Sequence, residues 1–428
     1  MEKKGEIPEK KTISRPDYFA SLERHRLTPD LIKIVTGVRR CGKSTLLRMY
    51  QDKLRSDGVK NGQILAINLE DMASKELLDG AKLHEFVEAH TVKDKQNYVF
   101  LDEIQLVSNF GETINSLRLR ENIDLYVTGS NSSLLSSRLP KILGGRYIQI
   151  HMFPLSFKEY ASAFPEPQKH HTDLVFQHYL EYSSFPEAFR YLAQWDKQGV
   201  REYLSHIYES IIMRDVMQCD DVKELPQLTR VVSFLFSNIG SETSINNMVG
   251  VINNEFKLKP NSKPLYAPML EKYLEALLDC FVFYRAERQH LSGKELLRTN
   301  SKYYAVDVGL RYHLLGGTAR TDAGHVLENV VYLELLRRGY KVKVGRINDK
   351  EIDFVAWKPG DRFEYYQVAQ SVMDETTLER ELAPLLAVKD SYPKFLLTRD
   401  YDRSVYKGIR HLNVLDWLLG NDSALQPA

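Results

Sequence analysis

The sequence predicts an α/β fold that begins with alternating strands and helices. The apolar, β-branched run from Leu31 ends in glycine and leads directly into a pattern with apolar residues three and four apart, which is typical of a helix. Two further apolar runs, 98–105 and 123–129, each end in polar side chains. We therefore expect a core with a parallel sheet, followed by separate modules.

The length of the chain requires more than one module. A chain of 428 residues exceeds what one hydrophobic core normally serves, so we expect two to four domains. With 43% hydrophobic and 27% charged residues, the composition is that of an ordinary globular protein and excludes collagen-like or disordered classes.

The cellular compartment is indicated by three features. The N-terminal stretch MEKKGEIPEKK is charged and has no apolar segment after it, and no apolar run is long enough to span a bilayer. The three cysteines, Cys41, Cys219 and Cys280, are odd in number and far apart, which suits a reducing compartment. We expect a cytoplasmic protein without a membrane partner.

The charge balance gives no general attraction to nucleic acid. The net charge is only +1, whereas phosphate-backbone binders normally show a clear basic excess. A DNA contact would need a local patch, and the best candidate is Arg337 to Lys350. The simpler interpretation, a solvated basic helix end followed by a strand, is favoured.

The run GVRRCGKS, from Gly37 to Ser44, has the spacing of a phosphate loop between a strand and a helix. Its glycines let backbone N–H groups point at phosphate oxygens, and the following helix adds its positive end. Lys43 would contact the β and γ phosphates of ATP, and the Ser44 hydroxyl would coordinate Mg²⁺. The expected nucleotide-binding residues of this loop are Gly37, Val38, Arg39, Arg40, Cys41, Gly42, Lys43, Ser44 and Thr45.

A second strand, YVFLDEIQ, ends in two carboxylates. Such a pair is costly at a buried strand end unless a cation lies nearby. Asp102 is expected to hold Mg²⁺ and Glu103 to polarise the attacking water, which makes Lys43, Glu103 and one arginine the catalytic candidates. The alternative is an ordinary strand end with exposed acids, and the phosphate loop weighs against it.

Four stretches in this order, GVRRCGKSTLL, DEIQ, TGSNSSLLS and GGRYIQIHMFPLSFKEY, resemble a large prokaryotic group of AAA-type ATPases. The resemblance runs from about residue 18 to about 419. It implies a core sheet in which a sensor strand separates the acid strand from the phosphate-loop strand, and a helical lid after the core. Members continue into a C-terminal region with nuclease-like features, and the family names no substrate.

In AAA-type ATPases a polar residue at the end of the third strand senses the γ-phosphate. Ser130 or Asn131 is the candidate here, although capping of a helix that begins near Ser132 explains them equally well. Arg138 and Arg146 could each reach a nucleotide as an arginine finger, from the same chain or from a neighbouring subunit. We favour Arg146, which follows a flexible glycine pair.

The pattern predicts four regions: an ATPase core at 18–156, a helical lid at 157–222, a winged-helix-like domain at 223–318 and a nuclease-like domain at 319–428. The winged helix is predicted from three helices followed by two short strands. Its third helix, from about Tyr266, would read DNA, but it carries Glu271, Glu275 and Asp279 against Lys272 alone. Acids repel phosphates, so packing or protein contact is favoured for this module.

The last region resembles the PD-(D/E)xK nucleases. Glu328 on a helix and Asp353 on a strand are in place, but the third strand offers Gln367 and Ala369 where an acid and a lysine are required. Because that chemistry needs an acid pair for Mg²⁺ and a lysine to activate water, we expect a nuclease fold without efficient nuclease activity.

Three functional hypotheses follow. The favoured one is a Mg²⁺-dependent ATPase that couples its nucleotide state to DNA or to an unidentified protein partner. The second is a nucleotide-controlled switch with negligible turnover, and the third is a nuclease regulated by ATP. The sequence leaves oligomerisation open.

Overall fold

The computed structural model covers most of the chain. The described residues are 12–28, 30–130, 138–164, 171–194, 196–218, 222, 224–255, 263–291, 300–317, 322–402 and 404–421. Cys219 lies outside them, while Cys41 and Cys280 are buried. Among the helices in these ranges, none combines the length and the apolar character needed to cross a membrane.

The first part of the chain forms a five-stranded sheet in which every neighbouring pair of strands is parallel. Its strands are β1 (Ile32–Thr36), β2 (Ile64–Asn68), β3 (Asn97–Asp102), β4 (Ile123–Gly129) and β5 (Tyr147–His151). The spatial order is β2-β3-β4-β1-β5, so β4 separates β3 from β1. The predicted parallel core, with a sensor strand between the acid strand and the phosphate-loop strand, is confirmed.

Both faces of this sheet are covered. Alternate strand residues enter two different hydrophobic clusters: Val35 and Phe100 belong to one, Ile34 and Leu101 to the other. This is the two-residue period of a strand buried on both sides, which explains why the sequence shows unbroken apolar runs. The helices of the core are α1 (Pro16–Arg24), α2 (Lys43–Ser56), α3 (Gly80–His90), α4 (Phe110–Arg118) and α5 (Arg138–Leu143).

The region after the core is helical, as the sequence predicts. Its helices are α6 (Phe157–Ala163), α7 (Thr172–Tyr182), α8 (Pro186–Ala193) and α9 (Lys197–Ser210). Helix α9 continues without a break into a π-helical segment, Ile211–Val216. Short π-helical segments are rare and often occur at functional sites.

Three helices and an antiparallel hairpin follow in the expected order. They are α10 (Leu225–Ser237), α11 (Ile245–Glu255), α12 (Ala267–Asp279), β6 (Phe283–His290) and β7 (Ser301–Ala305). Thr243, between α10 and α11, forms an isolated antiparallel bridge with the start of β7. The exposed side of α12 carries Glu271, Lys272, Glu275 and Asp279.

The hairpin also belongs to the C-terminal sheet, because β6 pairs in parallel with β8. This sheet has eight strands in the order β12-β13-β11-β10-β9-β8-β6-β7. The new strands are β8 (Lys341–Ile347), β9 (Lys350–Trp357), β10 (Glu364–Val368), β11 (Lys394–Thr398), β12 (Val405–Tyr406) and β13 (Ile409–Asn413). The helices are α13 (Val308–Leu314), α14 (Ala323–Arg337), α15 (Glu375–Ala387) and α16 (Val414–Leu419). The predicted domain boundary between 318 and 319 therefore lies within one sheet, with β6 and β7 before it and β8 to β13 after it.

His151, at the end of β5, joins the first sheet to the hairpin. Its Nδ1 lies 3.2 Å from the Thr36 hydroxyl and its Nε2 lies 2.8 Å from the Tyr284 hydroxyl. The imidazole also packs against the rings of Phe153 and Phe281. Burial, with a smaller effect of the charge on Lys43, lowers the pKa of His151 to about 3.

The lowered pKa of His151 makes this junction sensitive to acid. Below pH 6.5, the ordinary pKa of histidine, the unfolded chain takes up a proton at His151 that the folded chain does not. The free energy of unfolding therefore decreases as the pH decreases, by up to about 1.4 kcal/mol per pH unit. We expect His151→Asn to lose less stability than the wild type between pH 6.5 and about 4, measured by urea unfolding. The exposed His171→Asn is the control and should keep the wild-type slope. Equal slopes for wild type and His151→Asn would contradict this account.

Candidate nucleotide site

The phosphate loop leaves β1 at Gly37, and its shape depends on that glycine. Gly37 has a φ of 150°, and a Cβ built there would lie 2.0 Å from the carbonyl oxygen of Met152. Gly42, with a φ of 110°, is the last residue before α2. Both positions need the freedom that glycine provides, and the loop packs directly against the chain leaving β5.

Lys43, the first residue of α2, is 4% exposed. Its ammonium group donates hydrogen bonds to the carbonyl oxygens of Gly37 at 2.9 Å and Val38 at 3.3 Å. The Glu103 carboxylate lies 4.0 Å from Lys43 Nζ. The lysine is therefore held over its own loop mainly by neutral acceptors, which phosphate oxygens can replace.

The two acids at the end of β3 have different surroundings. Asp102 accepts hydrogen bonds from the hydroxyls of Ser44 and Thr128. Burial raises the pKa of the Asp102 carboxyl, and these two hydrogen bonds oppose the shift. The pairing of Ser44 with Asp102 fits Mg²⁺, because a hydroxyl and a carboxylate are the hard oxygen ligands that this ion prefers.

Both the backbone N–H and the carboxylate of Glu103 form hydrogen bonds within the chain. Its φ is 57°, which is uncommon for a residue other than glycine, and its N–H donates to the Thr128 hydroxyl at 2.9 Å. The Ser130 hydroxyl donates to its carboxylate at 3.2 Å, and the Gln105 side-chain amide donates to the same oxygen. Thr128 on β4 and Ser130 directly after it thus fix the acid pair at the end of β3.

Arg39 links the loop to the helical region. Its guanidinium donates three hydrogen bonds of 2.9 to 3.1 Å to Asp215, in the π-helical segment, and one of 3.0 Å to Glu70. Burial raises the pKa of Asp215, and Arg39 opposes that shift. Arg40 is exposed at the loop's tip with a φ of 68°. Val38 and Cys41 are fully buried beneath the loop.

A cavity of about 630 Å³ lies between the loop and the helical region. Its lining residues are Arg39, Arg40, Gly42, Lys43, Ser44, Thr45, Glu70, Glu103, Pro186, Glu187, Arg190, Tyr191, Tyr203, His206, Ile207 and Ser210. The sequence predicts a helical lid at 157–222, but it pointed to none of the α8 and α9 residues that form this wall. Arg190 was the detectable signal, because it is the one arginine in the Pro-initiated helix α8.

A smaller cavity of about 140 Å³ adjoins this one and shares Thr45, Pro186, Glu187 and Arg190 with it. Thr12 and Ile13, from the segment before α1, form part of its wall. The two cavities together extend from the phosphate loop to the N-terminal segment.

The remaining predicted residues do not all lie at the loop. Ser130 contacts Glu103 of the acid pair. Asn131 lies outside the described residues, and so does the side chain of Arg138. Arg146 is exposed next to Tyr147, which pairs with Ile32 at the start of β1. The loop follows the other end of β1, roughly 13 Å away along the strand. Arg146 therefore faces away from the nucleotide site of its own chain.

The residues predicted for the nuclease-like centre lie close together, and Lys302, which the sequence analysis did not name, joins them. Glu328, Asp353 and Gln367 are all at most 7% exposed. The third strand lacks a lysine, but Lys302 on β7 donates a hydrogen bond to Glu328 at 2.8 Å. Sequence reasoning missed Lys302 because it lies in the hairpin assigned to the preceding region.

A parallel sheet whose first strand enters a GxxxxGKS loop, beside an acid pair on β3, defines a P-loop NTPase of the AAA type. Residues 29–161 match the AAA domain family, and residues 174–321 match Domain of unknown function (DUF8612). The chain is 36% identical over 413 residues to an uncharacterised protein of Haemophilus influenzae, covering 96% of this chain and 99% of that protein. It belongs to the same AAA-type family as that protein.

Two more distant similarities complete the comparison. An uncharacterised protein of Methanocaldococcus jannaschii is 28% identical over 384 residues, with 85% of this chain and 80% of that protein covered. The ORC2 protein of Aeropyrum pernix, in ADPNP–ADP complexes, superimposes with a TM-score of 0.44 at 12% identity, over 78% of this chain and 98% of its own.

The close approach of Gly37 to Met152 can be tested directly. We expect Gly37→Ala to destabilise the chain by about 2 kcal/mol or more and to weaken nucleotide binding, because the added methyl group clashes with backbone. Thermal unfolding and binding of a fluorescent ATP analogue measure the two effects. Gly250→Ala, in the interior of α11 where a Cβ meets nothing within 4 Å, is the control: it should leave nucleotide binding unchanged and should not destabilise the chain, because alanine is the better helix former. Normal binding by Gly37→Ala would disprove the assigned loop geometry.

Proposed function

We propose that this chain is a Mg²⁺-dependent ATPase whose nucleotide state controls contacts made by its C-terminal modules. The observation that carries the proposal is the convergence of Lys43, Ser44, Asp102 and Glu103 beside a cavity of about 630 Å³. Phosphoryl transfer needs positioning and charge neutralisation more than covalent chemistry, and these groups supply both.

Each residue at the loop has a defined role in this proposal. Lys43 exchanges its bonds to the Gly37 and Val38 carbonyls for phosphate oxygens, which gives its charge to the β and γ phosphates. Ser44 and Asp102 would hold Mg²⁺, which when bound would neutralise charge that develops on the transferred phosphoryl group. Glu103 accepts a hydrogen bond from the attacking water and orients it.

The lid and the N-terminal segment supply the rest of the proposed ATP site. Arg190 lines the same cavity as Lys43 and is paired at 2.8 Å with Glu187; in this proposal its guanidinium exchanges that carboxylate for the terminal phosphate. The base fits the smaller cavity beside Ile13 and Pro186, which connects to the phosphate end through Thr45. Arg146 lies at the opposite end of the strands from the loop, so an arginine-finger role for it would concern the nucleotide of a neighbouring subunit.

One observation favours the second candidate function, a nucleotide-controlled switch. Ser130 and Gln105 both donate to Glu103, which holds its carboxylate away from the role of a free base. In this alternative, ATP binds and changes the lid contacts, but turnover waits for a partner that releases Glu103. The two functions share one binding site and differ only in the basal rate of hydrolysis.

A protein is the better candidate for the partner of the winged-helix-like module. The exposed side of α12 carries three acids and one lysine, and a row of acids repels the phosphate backbone. We therefore propose that 225–305 contacts a protein and that DNA is not its main ligand. Stimulation of ATP hydrolysis by DNA would contradict this part of the proposal.

The central test is steady-state ATP hydrolysis by Glu103→Gln. We expect kcat to fall at least about 100-fold with little change in ATP affinity, because the substitution removes the base and keeps the shape. Lys43→Ala should lose ATP binding itself. The control is Glu112→Gln, an exposed acid at the start of α4, which should match the wild type.

The outcomes separate the two candidate functions. Turnover that depends on Glu103 supports the ATPase. Binding without turnover in the wild type supports the switch, and hydrolysis by Lys43→Ala at the parental rate excludes both.

A second test addresses the lid. We expect Arg190→Ala to bind ATP roughly 10- to 100-fold more weakly while its affinity for ADP stays close to that of the wild type, because the lost charge pairs with the terminal phosphate. Competition against a fluorescent nucleotide measures both affinities. Arg201→Ala, an exposed arginine on α9, is the control. An equal loss for ATP and ADP would show that Arg190 does not read the γ-phosphate.

A further inference from the structure

The nuclease-like centre contains a cation that belongs to the chain itself. Four polar side chains meet there: Glu328 on α14, Glu351 and Asp353 on β9, and Gln367 on β10. We call them the acid cluster. Lys302 on β7 reaches them from the hairpin, and its side chain is 5% exposed.

Lys302 bonds to two members of the cluster at once. Its ammonium lies 2.8 Å from Glu328 Oε1 and 2.8 Å from Glu351 Oε1. The Tyr304 hydroxyl, also on β7, donates to the same Glu328 oxygen at 2.5 Å. The side of Glu328 that faces the hairpin is therefore occupied by protein donors.

Two further oxygens of the cluster are also hydrogen-bonded within the chain. Asp353 Oδ2 accepts the Val368 N–H at 2.8 Å, and the side-chain oxygen Oε1 of Gln367 accepts the Asp353 N–H at 3.4 Å. The amide nitrogen of Gln367 donates to Glu381 at 2.9 Å. Over the residues that the structure describes, no three or more His, Cys, Asp or Glu side chains are arranged to hold a metal ion.

The donor set therefore does not fit the divalent cation that the nuclease resemblance implies. Buried carboxylates need a positive partner, and here the ammonium group fills that need at direct contact distance. A lysine that forms ion pairs with the acids themselves cannot activate a water for attack on a phosphodiester. Burial of Glu328, Asp353 and Gln367 also keeps a nucleic-acid backbone from reaching these three side chains.

We propose that Lys302 is a built-in cation that takes the place of the divalent metal in the acid cluster. The cluster then acts as an ion-paired joint that fixes the hairpin β6–β7 to α14 and β9, and the C-terminal module has no metal-dependent nuclease activity. This inference does not depend on the nucleotide site.

The test compares Mn²⁺ binding by the nucleotide-free full chain in the wild type, Lys302→Met and Lys302→Met/Asp353→Asn, using the electron paramagnetic resonance signal of free Mn²⁺. We expect Lys302→Met to gain one Mn²⁺ site that the double variant lacks. Without the metal, Lys302→Met should unfold at a midpoint lower by roughly 5 °C or more, and Mn²⁺ should restore part of that loss. Lys343→Met, which removes a lysine on β8 that faces solvent in part, should change neither quantity.

A second comparison keeps the inference testable if Lys302→Met does not fold. The wild type and Asp353→Asn should bind Mn²⁺ equally, and neither should cleave DNA with Mg²⁺ or Mn²⁺. Mn²⁺ binding or DNA cleavage that Asp353→Asn abolishes would overturn the proposal. So would a folded Lys302→Met variant that gains no Mn²⁺ site.

Discussion

The buried guanidinium of Arg15 is the interaction on which the phosphate loop depends. It donates to the Cys41 carbonyl inside the loop at 3.3 Å, to the Phe153 carbonyl after β5 at 2.7 Å, and to the Glu159 carboxylate on α6 at 2.7 Å. Glu159 in turn caps α6 through Ser156. One charged group therefore fixes the loop, the exit from the sheet and the first lid helix. Charge-assisted bonds in a buried setting are the strong ones, and loss of either partner leaves an unpaired charge.

The same region connects the core to the C-terminal sheet by two routes. Arg337, at the end of α14, lies over the Phe153 ring at 5.3 Å from its centre. His151 joins Thr36, the last residue before the loop, to Tyr284 on β6. Both routes run through β5 and the residues after it, so the edge strand next to the loop is also the attachment point of the hairpin. A change at the loop meets packed neighbours in both halves of the molecule, which is the physical requirement for coupling.

The sequence could predict the loop and the acid pair because each is a local motif whose meaning is set by a few neighbouring residues. It could also predict most strands and helices, since their periodicity is strong. It could not predict Asp215 as the partner of Arg39, because 176 residues separate them. Lys302 was missed for a related reason: its strand was assigned to the winged helix, and only the β6–β8 pairing brings it to Glu328. Pairings between distant segments carry no local signal.

A comparison of Lys43 with Lys302, each of which lies near carboxylates, shows why residue type alone does not define chemistry. Lys43 bonds to neutral carbonyls of a loop, stays 4.0 Å from Glu103, and lines a large cavity, so a phosphate can replace its partners. Lys302 bonds at 2.8 Å to two carboxylates, and replacing it would leave the buried one, Glu328, without its cation. Lys43 therefore lies beside a cavity that a ligand can enter, whereas Lys302 is buried and ion-paired. The identity of the acceptor, neutral or charged, therefore separates a site that can exchange ligands from one that can only hold the fold together.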